Sequence, residues 1–291
     1  MKVTVWGEKF LDVEALPKQD RPVNYADYVD EARRIYPDDL HAALAAGLVD
    51  ELGPEAKVRI ATLDDEDQGL SDAVLADTDV LVWWSHVKHH MIGEATVERL
   101  WRRIVHDGMG LVMLHAGTGS KIFKRLMGTS CGLGYLRQSD DWEAVWTISP
   151  NHPIVQGIPQ VFVIPTEEVY CEYFDIPVPD EVVLVSTFRG GEVFRSGCCF
   201  RRGNGRIFYF RPGHESHPTY HHPQVKRVLA NAVTWAAQTP AGGADLWTID
   251  ADKATMLAHI VPEGWFRSSG ADSLRPILPL RGCHPDRLPL R

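Results

Sequence analysis

The apolar positions in the first half of the chain follow two alternating patterns. Continuous apolar runs predict four buried strands, at residues 2–6, 57–63, 79–84 and 110–115. Apolar positions at helical spacing predict helices between or after these strands, over residues 25–36, 38–52, 69–78, 96–108 and 120–128. Strand–helix units in this rhythm predict an α/β fold with a doubly wound, mainly parallel sheet that is flanked by helices. The unbroken apolar runs agree with strands that are covered on both faces.

The second half of the chain carries strand-like patterns with few helices between them. They predict five strands, at residues 143–148, 160–164, 182–188, 192–202 and 205–211. The segment RRGNGR has the Gly and Asn residues of a hairpin turn, so we expect antiparallel strands in this half. A last helix is predicted over 223–238, with Pro223 near its N-terminus.

Residues 239–291 differ from the rest of the chain. This segment is rich in Pro, Gly and Arg, and its apolar positions show little periodicity. We therefore expect an α/β domain over residues 1–238, followed by a C-terminal extension over 239–291 that is irregular or partly disordered.

The composition limits the class of function. The chain has 291 residues and a formal net charge of −9, and an acidic chain repels nucleic acid. No window approaches the roughly 18 uninterrupted apolar residues of a membrane span. The N-terminus enters a predicted strand without the pattern of a signal peptide. The five cysteines lack CxxC spacing. Their pattern favours reduced thiols and a cytoplasmic location.

Histidines follow three of the predicted strands. His86 and His89 come after the third strand in DVLVWWSHVKHH, His115 ends the fourth in GLVMLH, and His214 follows GRIFYF. In an open parallel sheet, the loops at the carboxyl ends of the strands meet at one edge, where ligands bind. We therefore expect these imidazoles to lie close together.

This histidine pattern is typical of a metal site. Imidazole is the commonest protein ligand for zinc, and a catalytic site needs about three protein ligands. We predict His86, His115 and His214 as ligands of a divalent ion, with zinc as the first candidate. His89 or Glu215 is expected as a fourth ligand or as the catalytic proton-transfer group. Taken alone, each histidine has a plainer interpretation as an ordinary hydrogen-bonded residue.

Other side chains are expected to bind substrate. Glu168, Tyr170 and Glu172 lie on one side of the extended segment EEVYCEYF, either lining a pocket or forming a polar strand face. Arg195 is a salt-bridge partner or a substrate anchor, and a tryptophan at a strand end, such as Trp84, could stack on a sugar ring. The turn HAGTGS lacks the Lys-Ser/Thr pair of a P-loop, so no nucleotide cofactor is expected.

Several motifs resemble those of the trehalose-utilisation (ThuA-like) family. They are DVLVWWSHVKHH, LVMLHAGTGSKIFKRLMGTSCGL, EEVYCEYFDIP and GGEVFRSGCCFRRGNGRIFYFRPGHESHPTYHHP. The resemblance runs in order over about residues 1–238, and FRPGHE together with YHHP is particularly typical of the family. It implies a class I glutamine-amidotransferase-like fold, which is flavodoxin-like in its sheet.

The resemblance also implies roles for individual residues. His86 and His89 match the family's histidine pair, His115 its strand-end histidine, and His214 with Glu215 its Gly-His-Glu motif. Further residues fall in matching motifs and are expected to bind substrate: Glu8, Tyr36, His41, Tyr220 and His221.

The family context implies carbohydrate catabolism, in which a partner sugar dehydrogenase first oxidises trehalose or a related disaccharide to the 3-keto form. The expected activity is a metal-assisted isomerase, lyase or hydrolase acting on this small-molecule sugar. Two alternatives stay open, a non-catalytic sugar-binding or regulatory domain and an amidotransferase-like hydrolase. The hydrolase is disfavoured because the turn after residue 114 offers neither Cys nor Ser. Gly7 stands where the family often has Asn, so any role of that Asn would be missing. A homo-oligomer also stays open.

Overall fold

The computed structural model describes residues 1–15 and 25–237. The predicted extension 239–291 lies outside the described residues, so its irregular structure stays a prediction. The strands of the described part are β1 (Lys2–Gly7), β2 (Lys57–Thr62), β3 (Val80–Trp84), β4 (Gly110–Leu114), β5 (Leu133–Thr147), β6 (Val161–Phe174), β7 (Glu181–Phe188), β8 (Val193–Arg202) and β9 (Gly205–Phe210). The helices are α1 (Tyr25–Ile35), α2 (Leu40–Leu52), α3 (Asp72–Ala76), α4 (Glu94–Val105), α5 (Lys121–Met127) and α6 (Pro223–Ala237).

These strands form one sheet in the order β2-β1-β3-β4-β9-β8-β7-β5-β6. The first five of that order run parallel. Their connectivity is that of a flavodoxin-like doubly wound sheet. The neighbours from β9 to β6 pair antiparallel. The predicted fold class, with a parallel first half and antiparallel strands in the second half, is confirmed.

The parallel strands are buried on both faces. In β3, Val80, Val82 and Trp84 belong to an apolar layer shared with α2 and α6. Leu81 and Trp83 belong to a second layer, which α4 and α5 share. None of these five side chains is more than 1 % exposed. Alternate residues therefore pack against opposite helical layers, which explains why the sequence shows an unbroken apolar run.

Strands β5 and β6 are longer than the sequence pattern indicates. β5 begins at Leu133, well before the predicted strand at 143–148. β6 joins the predicted strand at 160–164 to the extended segment at 167–174. The first half of β5, LGYLRQS, shows no sustained alternation of apolar and polar residues, so no periodicity marks it. It pairs antiparallel with β6 through backbone hydrogen bonds, with register shifts along the way.

Local signals set the ends of α5, which follows the turn after β4. The Ser120 side chain accepts a hydrogen bond from the N–H of Phe123 and so caps the first turn. Gly128, at φ +71°, ends the helix in the left-handed conformation that glycine adopts without strain. Among the described residues, no helix has the length and hydropathy needed to cross a bilayer.

Candidate functional site

Three histidines meet at the carboxyl end of the parallel strands. His86 lies two residues after β3, His115 follows β4 directly, and His214 lies four residues after β9. The ring centroids of His86 and His115 are 6.0 Å apart, those of His86 and His214 5.6 Å, and those of His115 and His214 5.5 Å. The structure thus brings together imidazoles from three strands, while their role as metal ligands stays a prediction.

His115 occupies the turn between β4 and α5 with a strained backbone. Its φ of +46° is uncommon for a non-glycine residue and costs on the order of 1–3 kcal/mol. Its Nδ1 atom lies 2.9 Å from the backbone oxygen of Arg211. Because a carbonyl only accepts, Nδ1 carries the hydrogen and Nε2 of the neutral ring has the lone pair. Hydrolases with a nucleophile elbow place their nucleophile at such a strand-to-helix turn, where this chain has an imidazole.

Glu168, on β6, faces the Nε2 atom of His115. The two facing atoms, Glu168 Oε2 and His115 Nε2, are 3.3 Å apart, and both side chains are buried. Oε2 has no hydrogen-bond partner among the described residues. Burial raises the pKa of Glu168, but the imidazoles of His115 and His214 outweigh it and lower the pKa to about 2. The carboxylate is therefore charged. Sequence analysis placed Glu168 beside Tyr170 but did not connect it to the histidines.

His214 presents a free nitrogen to the same site. Its Nδ1 atom accepts a hydrogen bond from the N–H of Ser216 at 3.2 Å and lies 2.8 Å from Ser216 Oγ, so Nε2 of the neutral ring carries the hydrogen. Its Nε2 atom is buried and has no hydrogen-bond partner within residues 1–15 and 25–237. Burial is the main cause that lowers the pKa of His214, which favours the neutral imidazole. A metal ion at Nε2 would require the other tautomer of the neutral ring, in which Nδ1 carries the hydrogen and donates to Ser216 Oγ.

His86 and Glu215 form a hydrogen-bonded pair at the more exposed side of the site. His86 Nδ1 lies 2.9 Å from each oxygen of the Glu215 carboxylate. Burial alone would lower the pKa of His86, but the Glu215 carboxylate raises it to about 9. Burial raises the pKa of Glu215, whereas the imidazoles of His214 and His86 bring it well below its usual range. The His86 side chain is 28 % exposed, against 0 % for His115 and 3 % for His214.

The described part of the chain contains two groups of three residues that could hold a metal ion. Within each group, the potential ligand atoms all lie within 4.8 Å of one another. One consists of His115, Glu168 and His214, and the other of His86, His214 and Glu215. His214 belongs to both, so one ion would use one group or the other. The first group fits a cation better, since Glu168 Oε2 lacks a partner, whereas the Glu215 oxygens already bond to His86. Two imidazoles and a carboxylate suit zinc.

His89 lies beside the turn that follows β4. Its Nδ1 atom is 2.9 Å from Ser85 Oγ, which accepts a hydrogen bond from Trp83 Nε1. Burial lowers the pKa of His89 to about 3, so the ring is neutral. With the Ser85 hydroxyl donating to Nδ1, Nε2 carries the hydrogen. A Cβ at Gly119 would lie 2.6 Å from that Nε2 atom, so the glycine makes room for the ring.

Two of the expected substrate residues hold the loops of the site. The Glu8 carboxylate is buried and accepts hydrogen bonds from the N–H groups of Val87 and Lys88, each at 2.8 Å, next to His86. Burial raises the pKa of Glu8 in spite of these bonds. Trp84 Nε1 donates to the backbone oxygen at position 213 at 3.1 Å. Both side chains therefore fix the backbone beside a site histidine, and a contact with substrate stays a prediction for them.

Two of the expected substrate residues are buried tyrosines that pack under the loop after His214. The Tyr36 hydroxyl donates to the backbone oxygen of His217 at 2.6 Å and accepts from the N–H of Tyr220 at 3.2 Å. Tyr220 is 1 % exposed, and its hydroxyl has no hydrogen-bond partner among the described residues. A Cβ at Gly213 would overlap with that hydroxyl, which requires glycine at this position.

The remaining predicted substrate residues contact other parts of the protein. His41 packs against Gly7, where a Cβ would lie 2.7 Å from the His41 Cβ atom, so the missing side chain makes room for this histidine. His221 Nε2 lies 3.1 Å from a backbone oxygen at the end of α1. Glu172 and Arg195 form a two-point ion pair, at 2.8 Å and 2.9 Å.

Sequence analysis missed a buried charge network around the residue that follows β9. The Arg211 guanidinium lies 2.6 Å from Glu143 Oε2 and 3.7 Å from Glu167 Oε1, and it donates to the backbone oxygen of Glu168. The side chains of Arg211, Glu143 and Glu167 are 0 % exposed. The available signal was charged residues inside strand patterns, as in DWEAVW and PTEEVY. A buried charge is stable only when it is paired, so an ion pair between these carboxylates and a buried basic residue was to be expected.

An open depression of about 490 Å³ adjoins His214. Its lining includes Tyr28, whose ring meets the His214 ring edge-on at 5.8 Å, and Ser216, which bonds to His214 Nδ1. The lining residues are Tyr28, Glu31, Ile35, Thr166, Ser216, His217 and Pro218. Aromatic, hydroxyl and carboxylate groups together suit a small polar ligand.

Solved structures share this fold at low sequence identity. A ThuA-like protein from Parabacteroides merdae is 15 % identical, with a TM-score of 0.57 over 82 % of this chain and 90 % of its own. A ThuA-like protein from Bacteroides uniformis is 15 % identical, with a TM-score of 0.53 over 81 % and 91 %. A cytoplasmic protein from Salmonella typhimurium is 12 % identical, with a TM-score of 0.50 over 81 % and 99 %. These similarities concern the fold alone. Comparison with curated proteins gave no match.

A family model described as trehalose utilisation matches residues 38–236. That range covers more than half of the chain and includes His86, His115 and His214 with the strands that deliver them. The resemblance seen in the sequence motifs is thereby confirmed, and the chain belongs to the trehalose-utilisation (ThuA) family.

Proposed function

We propose that the protein is an enzyme of carbohydrate catabolism that moves a proton on a 3-keto disaccharide or 3-keto glycoside. The family's description supports a carbohydrate substrate. The observation that carries the proposal is a buried carboxylate oxygen without a partner among the described residues, Glu168 Oε2, which lies beside ring nitrogens of His115 and His214. These atoms lie next to a hydrogen-bonded acid–base pair, His86 and Glu215.

The substrate's chemistry defines what the site must do. The 3-keto carbonyl acidifies the hydrogen on the neighbouring carbon, and a dehydrogenase acting earlier would supply this carbonyl. Removal of that hydrogen leads either to isomerisation or to elimination of the glycosidic oxygen. Held by His115, Glu168 and His214, a divalent ion would supply positive charge beside the sugar oxygens and would favour the neutral form of His86 by repulsion.

His86 is the residue that we assign to proton transfer. In its neutral form Nδ1–H donates to Glu215, and Nε2 takes the proton from the substrate carbon. The Glu215 carboxylate stabilises the imidazolium that forms. In an isomerisation His86 then returns the proton to the carbon of the former carbonyl, and the neighbouring hydroxyl hydrogen passes to that carbonyl's oxygen. In an elimination His86 gives the proton to the leaving glycosidic oxygen as its bond to carbon breaks. Neutral His89, with hydrogen on Nε2, is a donor and completes the polar surroundings.

The depression beside His214 is where we propose that the second ring of the disaccharide binds. Tyr28 offers an aromatic face there, and Ser216 and Thr166 offer hydroxyl groups. Because Ser216 also bonds to His214 Nδ1, a sugar that contacts Ser216 in the depression would be one side chain away from the histidine cluster.

The test is metal analysis of the purified protein combined with assays on 3-keto-trehalose before and after EDTA treatment. We expect activity to fall with chelation and to return when one divalent ion, Zn²⁺ first, is added back. Product analysis by NMR separates isomerisation from cleavage. Full activity of a metal-free preparation would remove the ion from the proposal. Binding of the sugar without turnover would favour the sugar-binding alternative.

A further inference from the structure

Two consecutive carboxylates of β6, Glu167 and Glu168, have different surroundings. Glu168 faces His115 in the candidate site. Glu167 is 0 % exposed and contacts the loop that carries His214. Successive side chains of a strand point to opposite sides, so the two carboxylates are not interchangeable.

The Glu167 carboxylate accepts four hydrogen bonds. Oε1 accepts from the N–H of Glu168 at 3.0 Å and from the N–H of His214 at 3.2 Å. Oε2 accepts from the N–H of Gly213 at 2.9 Å and from the hydroxyl of Thr219 at 2.6 Å. Three of these donors belong to the loop between β9 and α6. The carboxylate therefore ties the two ends of the segment 213–219 to β6.

The backbone at Gly213 is shaped for this contact. Its φ of +134° lets two consecutive N–H groups, those of Gly213 and His214, reach one carboxylate. Its carbonyl oxygen accepts from Trp84 Nε1 on the other side. The peptide units before and after Gly213 are thus held by β6 and by β3, directly before the histidine that enters the site.

We infer that Glu167 is a positioning residue, which sets His214 and Glu215 by anchoring residues 213–219. It acts through the loop, since its oxygens are already occupied by protein donors. Glutamine cannot replace it, because its NH₂ group would face N–H donors on one side. The inference rests on the proposed function only where it concerns metal affinity.

The test compares the full-length protein with Glu167→Gln and with the milder Thr219→Val, which removes one of the four donors. Hydrogen exchange followed by mass spectrometry reports on peptides covering 211–219, and calorimetry reports on Zn²⁺ affinity. We expect Glu167→Gln to speed exchange in 213–219 and to weaken Zn²⁺ binding about 10- to 100-fold. Thr219→Val should do the same to a smaller extent. Glu172→Gln, on the same strand, should leave this loop unchanged.

Unchanged exchange in 213–219 in a folded Glu167→Gln protein would overturn the inference. Weaker Zn²⁺ binding with unchanged exchange would overturn it too, because Glu167 would then act as a ligand. If Glu167→Gln does not fold, the test rests on Thr219→Val. Hydrogen exchange in 213–219 that is as slow in this variant as in the wild type would contradict the positioning role. If the wild type binds no Zn²⁺, the proposed metal fails, while the exchange data still decide the role of Glu167.

Discussion

His115 Nε2 and Glu168 Oε2 lie 3.3 Å apart, and both side chains are buried. Because Nδ1 of His115 donates to a backbone oxygen, Nε2 of the neutral ring is an acceptor. The Tyr170 hydroxyl lies 3.3 Å from Nε2, whereas the second acceptor, Glu168 Oε2, has no partner among the described residues. Burying the charged oxygen of Glu168 beside this ring is costly unless a donor or a positive charge accompanies it. A cation bound by both residues would satisfy that requirement, and titration with Zn²⁺ tests for it.

Replacing Glu168 by Gln should weaken Zn²⁺ binding by more than about 100-fold, since losing a ligand costs more than the 10- to 100-fold typical of an outer-shell partner. Titration calorimetry at neutral pH measures this. Glu172→Gln is the matched control, because Glu172 lies on the same strand and pairs with Arg195. Equal Zn²⁺ affinity in both variants and the wild type would remove Glu168 from the ligands of the ion.

The meeting of the three histidines was predictable because it follows from strand order. The strands β3, β4 and β9, which deliver His86, His115 and His214, are neighbours in the sheet. Continuous apolar runs identify such strands, and the carboxyl ends of parallel strands share an edge. Local pattern and topology therefore suffice for this part of the site.

The role of Glu168 was not predictable in the same way. Its strand, β6, lies at the far end of the sheet order from β4, so the approach of Glu168 to His115 depends on the path of the long β5–β6 pair. No spacing in the sequence encodes that path. The tyrosines show the same limit, since the residue type suggests a substrate contact while the packing of the loop decides that Tyr36 and Tyr220 are buried.

Replacing His86 by Gln should lower kcat by about 10²- to 10⁴-fold, the usual contribution of a general base. Zn²⁺ affinity should stay within a few-fold of the wild type, because the group that we assign to the ion does not include His86. Steady-state assays on 3-keto-trehalose and calorimetry on the same samples measure the two effects. His90→Gln, at an exposed neighbouring position, serves as the control. A parallel loss of Zn²⁺ binding would instead favour the ligand group of His86, His214 and Glu215.

The two buried tyrosines under the loop give a paired test of stability. Tyr36→Phe removes a hydroxyl that donates to His217 and accepts from Tyr220, so we expect the free energy of unfolding to fall by about 1–3 kcal/mol. Tyr220→Phe removes a buried hydroxyl without a partner among the described residues, so the free energy of unfolding should be unchanged or higher. Urea denaturation measures both. A raised KM of Tyr220→Phe at unchanged stability would show that this hydroxyl contacts the substrate.

His152 provides a test of pH dependence away from the histidine cluster. Its Nδ1 atom accepts from the N–H of Ile154 at 3.2 Å. Burial lowers the pKa of His152, while the Glu181 carboxylate, 3.8 Å from Nε2, opposes the shift and Arg206 adds to it. In the unfolded chain the imidazole titrates near pH 6.5, so the unfolded state takes up the proton first as the pH falls. The stability that depends on neutral His152 is therefore present above about pH 6.5 and is lost below it.

His152→Asn keeps a side-chain acceptor for the Ile154 N–H and removes the titrating ring. Between about pH 7.5 and 5.5, the variant should lose less unfolding free energy than the wild type, by up to about 1.4 kcal/mol per pH unit for one proton. Urea denaturation at several pH values measures the two slopes. His106→Asn replaces an exposed histidine after α4 and should keep the wild-type slope. If His152→Asn also keeps the wild-type slope, the folded protein binds a proton at His152 as readily as the unfolded chain does. Burial of the ring would then not disfavour its protonated form.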